Sequence, residues 1–512
     1  MGLWRSLLKG QKKQPVRQTA GYHGDRPISD TLADNIEVLH KQFSHSPDLI
    51  LRRLTIAQSG SEAVLAFFDG LTDKNAINND VIRPLQSGTH GGDPEGDLPV
   101  TVGHIRRESS WSQLETVILT GCSVLFIDGS HEAYIFDTHG WPQRAIEDPQ
   151  IESSLKGAHQ GFVETASMNI ALIRRYIPNR ELKIKEMFVG QRGKTSITIL
   201  YLGDVASPEL LQELTDRIGR LNLDSIINTG ELVEYIEDNA YSPFPQFVLT
   251  ERPDAAASQI LQGRYVLVVD RSPSVLIGPV SFMAFFQSVD DYSTRWLVAT
   301  FIRLLRLLGF IIAIFLPAVY ISVISFNYEV IPLKLLLSIG ESRERVPFPP
   351  IVEALLMEVT LEMLREAGVR LPAPIGQTVG IVGGIVIGQA AVQAGIVSNI
   401  MVIVVAFTAI ASFIIPNYDM AAAIRLLRFP MMLISYMFGI VGIVIGLMTL
   451  IGHLIALESL GMPYGIPFAP VRFADWKDTV VRLPLWRMIK RPHGTKAIQS
   501  RRKGTSGPEG DG

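Results

Sequence analysis

The chain has 512 residues, of which 47% are hydrophobic and 19% are charged, and its formal net charge is −3. Without a domain-wide basic field, a nucleic-acid-binding protein is excluded. The single cysteine, Cys122, excludes disulfides within the chain and a cysteine zinc site, and we expect it to pack as a small apolar residue in a strand.

The composition changes along the chain. Residues 1–290 are mixed and charged, as in a soluble protein, whereas residues 296–457 are mostly apolar. We therefore predict an α/β soluble N-terminal region of two subdomains plus an all-α multi-span membrane domain. Residues 1–27 are basic and lack periodicity, so we predict a flexible leader that is either a weak tether to an anionic membrane or a solvated tail. The first residues are too short and interrupted for a signal peptide, which favours a cytoplasmic N-terminal region.

Residues 28–150 are predicted to form the first α/β subdomain. Leu32, Ile36, Leu39 and Phe43 recur at helical spacing, and alternating or apolar runs predict strands at 49–51, 63–68 and 117–127. Asp128-Gly129 predicts a tight turn into a hairpin partner at 133–137. His90 and His104 match no metal-ligand spacing, so we expect no metal site here.

Residues 151–290 are predicted to form the second α/β subdomain. We expect a helix at 160–176, strands at 182–189 and 196–202, a helix from Pro208 to Ile218, a short strand at 225–227 and a closing hairpin of 265–270 with 274–277. The segment 190–195 ends in Gly-Lys-Thr, but only two residues separate its glycines and a strand follows. A basic hairpin turn is therefore favoured over a phosphate-binding loop.

Residues 291–460 are predicted to form the membrane domain, with spans at about 300–326, 377–396, 399–416 and 430–457. Residues 329–346 are too short to span and are predicted to be interfacial or re-entrant. Residues 461–512 form a basic tail that the positive-inside tendency places in the cytoplasm, so an even number of crossings, four, is expected. Arg425 and Arg428, on a predicted short amphipathic link, then lie outside, against that tendency.

An acidic amphipathic helix is predicted at 350–367, starting at Pro349-Pro350 and capped by Gly368. Glu358, Glu362 and Glu366 recur at a spacing of four and form one stripe on this helix. Glu353 points to another face. One interpretation is an interfacial helix with a wet acidic face. The other is a ring of acidic side chains, repeated by symmetry around an axis, that attracts cations.

The uncharged segment 377–416 is too long for one crossing, and a break near Gly395, Ser398 and Asn399 divides it into two helices. Its small-residue face lets helix backbones approach closely, and its glutamines face either a water path or hydrogen bonds between helices. The pore or gating candidates are Gln377, Gly380, Gly384, Gly388, Gln389, Gln393 and Asn399. No catalytic residue, cofactor or metal is expected.

These residues resemble a known family. The sequences PFPPIVEALLME at 347–358, LREAGVRLP at 364–372, GQAAVQAGIVS at 388–398 and IPNY at 415–418, with NLD at 222–224 and Gly278-Pro279, are similar to the A subunits of spore germinant receptors. The resemblance covers about residues 30–492. A related branch, encoded with dipicolinic-acid transport proteins, has the same architecture, and both branches stay open.

The resemblance implies a non-enzymatic, multi-pass protein of the spore inner membrane, with its N-terminal region and tail in the cytoplasm. It implies a nutrient-sensing, transporter-like B subunit and a lipoprotein C subunit as partners, contact with membrane lipid, and a homo-oligomeric ring, taken as a pentamer. Such a ring would conduct cations when nutrient is sensed and so start germination. A secondary transporter, or a non-conducting scaffold of the germination or dipicolinic-acid release machinery, is the alternative.

Overall fold

The computed structural model describes residues 27–87, 98–140, 159–473 and 475–502, without the side chains at 373–375, 377–382 and 385. The predicted leader up to residue 26, His90 and the tail beyond residue 502 lie outside this description. The described residues belong to two compact units. The first comprises the residues up to 140 with Ile177–Arg180, and the second comprises residues 159–176 and those from Glu181 onward.

The first unit is a five-stranded antiparallel sheet in the order β1-β2-β4-β5-β3, with helices packed on it. Trp111 stacks on Phe126 and Phe43 meets Phe68 edge to face, so aromatic side chains fix helices to the sheet. The elements are α1 (Leu32–Gln42), β1 (Leu49–Thr55), β2 (Glu62–Phe68), α2 (Lys74–Ala76), a π-helical turn (Ile77–Ile82), α3 (Arg83–Ser87), β3 (Ile105–Glu108), α4 (Trp111–Thr120), β4 (Ser123–Ile127) and β5 (Ala133–Phe136).

The predicted helix at Leu32 and the strands at 49–51 and 63–68 are confirmed, as is the hairpin of β4 with β5. The strand predicted at 117–119 is wrong, because these residues form the end of α4. Leu114 and Ile118 are both fully buried one turn apart, and left-handed Gly121 caps the helix by donating to the Ile118 carbonyl. Amphipathic spacing here outweighs the β-propensity of a short apolar run.

The second unit begins with another five-stranded antiparallel sheet, in the order β6-β7-β9-β10-β8. Its elements are α5 (Ala166–Tyr176), β6 (Leu182–Val189), β7 (Thr195–Leu202), α6 (Pro208–Gly219), α7 (Thr229–Ile236), β8 (Val248–Thr250), α8 (Pro253–Leu261), β9 (Tyr265–Val269) and β10 (Val275–Gly278). The closing hairpin is confirmed as β9 with β10, and every residue of β9 is buried.

The hairpin turn predicted at 190–195 is confirmed, since it joins β6 to β7, and Gly190 has a φ of +109°. The strand predicted at 225–227 is wrong. Ser225 makes only an isolated parallel bridge to Gly193, and Ile227 is 68% exposed. The segment before Ser225 is hydrogen-bonded to the β6–β7 turn instead, because the backbone N–H groups of residues 191–193 donate to the carbonyls of Leu223 and Asp224.

The remainder of the second unit is mainly helical. Its elements are α9 (Asp290–Ser293), α10 (Trp296–Ser325), α11 (Leu333–Arg343), α12 (Pro350–Arg370), α13 (Ala373–Gln393), α14 (Asn399–Phe413), α15 (Tyr418–Ala456), the short pair β11 (Glu458–Ser459) and β12 (Met462–Pro463), and α16 (Trp476–Thr479). Among the described residues, α10 and α15 are long and apolar enough to cross a membrane, and α14 is a shorter apolar helix. Helix α10 packs against both α14 and α15.

Two predicted boundaries can be compared with these helices. The break near Gly395 is confirmed, since Gly395 has a φ of +68° and the Ser398 hydroxyl caps α14 by accepting from Met401 N–H. Gly368 does not cap α12, which continues to Arg370 and ends where Leu371 becomes extended before Pro372.

The predicted link that carries Arg425 and Arg428 is not separate from the next helix. Helix α15 starts at Tyr418, where the Asn417 side chain accepts from Met420 N–H, and continues through both arginines. Its helical geometry is interrupted at Gly439, with φ +62° and ψ −140°. Gly442 and Gly446 lie back against Ile434 and Met431, so the chain reverses direction at Gly439. A span beginning near residue 430 would therefore start inside the helix that precedes this reversal.

Candidate functional site

The glutamates of α12 form ion pairs that connect helices of the second unit. Glu353 is fully buried, forms an ion pair with Arg343 at 3.0 Å, and accepts from the backbone N–H of Ser398 at 2.9 Å. The side-chain hydroxyl of Ser398 lies 3.4 Å from the Tyr320 hydroxyl of α10. One carboxylate therefore ties α11 and α12 to the start of α14 beside α10.

Glu358 is also buried and pairs with Arg428 of α15. Arg428 is 3% exposed, and its Nε donates to the Ala313 carbonyl of α10 at 2.8 Å. This arginine closes a connection among three helices, α10, α12 and α15. A buried ion pair of this kind needs both partners, because removing one leaves an uncompensated charge in an apolar site.

The two remaining glutamates lie nearer to solvent. Glu362 accepts from Arg425 at 3.2 Å and from Arg365 at 3.0 Å, and its side chain is 46% exposed. Glu366 pairs with Arg370, and its side chain is 63% exposed. All four predicted acidic residues therefore have arginine partners within the chain, and only the last two keep substantial contact with water.

Sequence reasoning missed these arginine partners. Arg425 and Arg428 are three residues apart, and Glu358 and Glu362 are four apart, so both pairs present one helical face each. That matched spacing is a usable signal, but it identifies partners only when α12 and α15 are already known to be neighbours.

The pore or gating candidates on α13 differ from the glutamates. Gln377 and Gly380 lie outside the residues whose side chains are described. Gln389 and Gln393 are exposed and form no hydrogen bond with another described residue. A Cβ added at Gly384 would meet nothing within 4 Å, whereas Gly388 is buried against Val402.

Asn399, the last gating candidate, is exposed at the start of α14. Its backbone N–H donates to the Ser342 hydroxyl at 3.2 Å, which connects this position to α11. The break between α13 and α14 is therefore tied twice to neighbouring helices, through Asn399 and through Ser398. The structure brings Asn399 close to the ion pair of Glu353, but it does not gather all candidates into one site within a single chain.

The α/β part of the second unit is joined to the end of α15 by a set of hydrogen bonds. His453 Nε2 lies 2.8 Å from the Ser242 hydroxyl, and the Tyr464 hydroxyl donates to the Pro245 carbonyl at 2.7 Å. The Asp238 carboxylate accepts from the backbone N–H of Leu460 at 2.6 Å. These contacts connect the loop between α7 and β8 to the end of α15 and to the chain that follows it.

A titratable carboxyl group lies at this junction. Burial raises the pKa of Glu237 to about 7; a hydrogen bond from the Gln246 backbone opposes this, while Asp419, Asp238 and Glu234 raise the pKa further by repulsion. A glutamate with such a pKa changes its charge near neutral pH, whereas an ordinary one is already ionised there.

In the first unit, Cys122, Asp137 and His139 offer ligand atoms within 4.8 Å of one another. Cys122 is buried immediately before β4, and burial raises the pKa of its thiol to about 11. His139 is hydrogen-bonded to Asp137, which lowers the pKa of that carboxyl. A neutral, buried thiol is a poor nucleophile, so this geometry favours packing over catalysis.

The sequence matches the profile of the "Bacillus/Clostridium GerA spore germination protein" family over residues 37–494. Two relatives come from Bacillus subtilis (strain 168). "Spore germination protein KA" is 42% identical, covering 94% of this chain and 90% of that protein. "Uncharacterized membrane protein YfkQ" is 39% identical, covering 94% of each chain.

Among solved structures, the chain is similar to the N-terminal domain of the A subunit of the Bacillus megaterium spore germinant receptor GerK3. The identity is 25%, the TM-score is 0.40, and the similarity covers 50% of this chain and 98% of that chain.

Proposed function

The chain belongs to the GerA family of Bacillus/Clostridium spore germination proteins, and we propose that it is a receptor subunit whose copies assemble around an axis and conduct cations. Family membership supports the germinant-receptor role. The proposal of conduction goes further and depends on α13. Nutrient sensed by a partner would open the path and start germination.

The observation that carries the conduction proposal is the uncovered polar and small-residue surface of α13. Gln389 and Gln393 are exposed without partners among the described residues, and Gly384 has open space beside it. In an apolar surrounding, unpaired amides are costly, so they need water or a neighbouring chain. Copies of α13 around an axis would supply both, with glycines allowing close approach and amides lining the path.

The acidic-ring proposal narrows to two residues. Glu353 and Glu358 are buried in ion pairs, so their charges are compensated inside the chain. Glu362 and Glu366 retain exposed carboxylates, and these are the members that a symmetric ring would present to cations. Arg365, Arg425 and Arg370 pair with these two glutamates and partly cancel their negative charge. Such a ring would therefore attract cations weakly.

We propose a multi-pass arrangement in the spore inner membrane, with the α/β region and the tail on the cytoplasmic side. In the folded chain the two arginines that oppose the positive-inside tendency are compensated, since Arg425 pairs with Glu362 and Arg428 pairs with Glu358. The proposed partners are further copies of the chain, taken as five, a transporter-like B subunit and a lipoprotein C subunit.

The test is ion conduction by purified full-length protein in a planar lipid bilayer, alone and with its B and C partners. Gly384→Ala is the probing substitution, since the added Cβ meets nothing inside the chain. Gly452→Ala on α15 is the matched control, because it also has open space beside it. We expect unitary currents that Gly384→Ala alters and Gly452→Ala leaves unchanged.

Three other outcomes would contradict conduction through α13. Equal effects of the two glycine substitutions would remove α13 as the path. Saturable flux without unitary currents would favour the transporter alternative. No flux in the complete complex, with partner binding intact, would favour a scaffold of the germination or dipicolinic-acid release machinery.

A further inference from the structure

A cavity of about 240 Å³ lies within the second unit, away from the α13 surface. Its wall is formed by the loop before β9, by the segment that leads into α10, and by the chain that follows α15. Met283, Met462 and Ile466 supply buried apolar side chains to this wall. The proposed conduction path uses none of these residues.

Arg264 is the buried charge of this cavity. It is 8% exposed, its Nη1 donates to the Gln259 side chain at 2.7 Å, and its Nε has no hydrogen-bond partner among the described residues. The described part of the chain also places no carboxylate in ion-pair contact with it. Burial lowers the pKa of Arg264 to about 10, so the group is still charged at neutral pH.

An uncompensated buried guanidinium is unfavourable, because water no longer solvates it. Either the site tolerates this loss or an anion from outside the chain offsets it. The surrounding charges distinguish these possibilities. Four more cationic side chains line the cavity, and none forms an ion pair with a described residue: Lys477, Arg487, Lys490 and Arg502.

Two carboxylates oppose them. Asp478 is already engaged, since it accepts from the Tyr292 hydroxyl at 2.9 Å and pairs with Arg303 at 3.2 Å. Asp475 has one buried oxygen without a partner among the described residues. Five cations therefore face two carboxylates, of which one is compensated elsewhere, and the balance favours an anionic ligand.

We propose that this cavity binds a phosphate group, supplied either by an acidic phospholipid or by a free phosphate. A guanidinium group can donate two parallel hydrogen bonds to two oxygens of one phosphate. The neighbouring methionines can accommodate the apolar part of a lipid. The cavity lies between the segments that precede α10 and follow α15, the two helices long enough to cross a membrane. A lipid phosphate there would hold the tail against the sheet and the start of α10.

The experiment uses full-length protein in phosphatidylcholine nanodiscs. Phosphatidylglycerol is titrated into one set, and inorganic phosphate is added to another. Hydrogen exchange of residues 477–490 reports occupancy. We expect phosphatidylglycerol to slow exchange there, and the Arg487→Gln, Lys490→Gln double variant to weaken the apparent affinity by about tenfold, the change that roughly one lost charge-assisted contact supplies.

Arg264→Gln is expected to weaken the affinity at least as much. If its buried position prevents folding, the exposed double variant still tests the site. Arg472→Gln is the matched control, since Arg472 is exposed in the same segment and does not line the cavity.

Protection by phosphatidylglycerol alone identifies a lipid source, and protection by both additives identifies phosphate as sufficient. Protection by neither additive overturns the proposal. It is also overturned if Arg472→Gln weakens binding as much as the double variant, because the attraction is then a general surface effect.

Discussion

Helices α12 and α13 have 21 residues each and pack against each other, but their polar side chains differ in how they are paired. Helix α12 pairs each glutamate with an arginine of the same chain. Helix α13 leaves Gln389 and Gln393 exposed without described partners. The difference separates a helix that organises a single chain from one whose polar groups need water or a second chain.

The largest expected effect lies on the α12 side of this comparison. Arg428→Met removes the partner of buried Glu358 and also the hydrogen bond to the Ala313 carbonyl. We expect a loss of roughly 3–5 kcal/mol in the free energy of unfolding, because a buried carboxylate is left unpaired. Thermal unfolding in detergent measures it. Arg370→Met, at an exposed pair, is the control, and an equal effect of the two would contradict the organising role of the buried pair.

A smaller loss is expected at Glu353. Glu353→Gln removes the negative charge beside Arg343 and keeps the shape of the side chain, so we expect about 1–3 kcal/mol. The Glu353 carboxylate also accepts a hydrogen bond from the Ser398 backbone N–H. The substitution weakens this bond, so hydrogen exchange at the first turn of α14 should become faster. Glu344→Gln, at a nearby exposed position, is the control. Unchanged exchange at α14 would show that this carboxylate does not order the helix start.

At the junction between the α7–β8 loop and the end of α15, Glu237 should make folding stability depend on pH. The folded pKa of Glu237 is about 7, above its ordinary value of 4.5, so the folded state binds the proton more tightly than the unfolded state. Stability from this group is therefore present below pH 4.5 and is lost as pH rises towards 7. Since the side chain is partly solvated, we expect a decline of only about 1 kcal/mol.

Glu237→Gln should flatten this part of the stability profile, whereas Glu209→Gln, at an exposed position of α6, should leave it in place. Unfolding midpoints measured between pH 5 and pH 8 give the comparison. Parallel profiles for the native protein and Glu237→Gln would show that this carboxyl does not titrate near neutrality.

The smallest stability effect is expected on α13. Gln389→Leu removes an exposed amide without described partners, so the free energy of unfolding should change by less than about 0.5 kcal/mol. Oligomer mass or ion flux should nevertheless change if the amide faces another chain or the conduction path. Thr449→Val, an exposed polar-to-apolar change on α15, is the matched control. A large loss of stability in Gln389→Leu would mean that α13 is organised within the chain, as α12 is.

Much of the fold follows from local patterns. Apolar runs predicted β2, β7 and β9, and alternation predicted β6. The break near Gly395 and Asn399 followed from an uncharged segment too long for one crossing. The short helices α7 and α8 and strand β8 were not predicted, and residues 117–119 were assigned to a strand. In such short apolar segments, tertiary packing decides between helix and strand.

The site was less predictable than the fold. The sequence marks Glu358 as charged within an apolar region, but Arg428 is 70 residues away, and their pairing depends on how α12 packs beside α15. The cavity around Arg264 has the same origin, since its cations come from segments far apart in the chain. Spacing rules operate within one element and give no information about such long-range neighbours.

The interruption of α15 at Gly439 divides one long element into two arms. The first arm carries Arg425 and Arg428, which pair with glutamates of α12, while the second carries His453, which is hydrogen-bonded to Ser242 in the loop between α7 and β8. A left-handed φ of +62° is readily available to glycine, and a Cβ there would press on Phe326 at 3.2 Å. The glycine therefore lets the chain reverse direction, so that the second arm packs back on the first where Gly442 and Gly446 allow close approach to Ile434 and Met431.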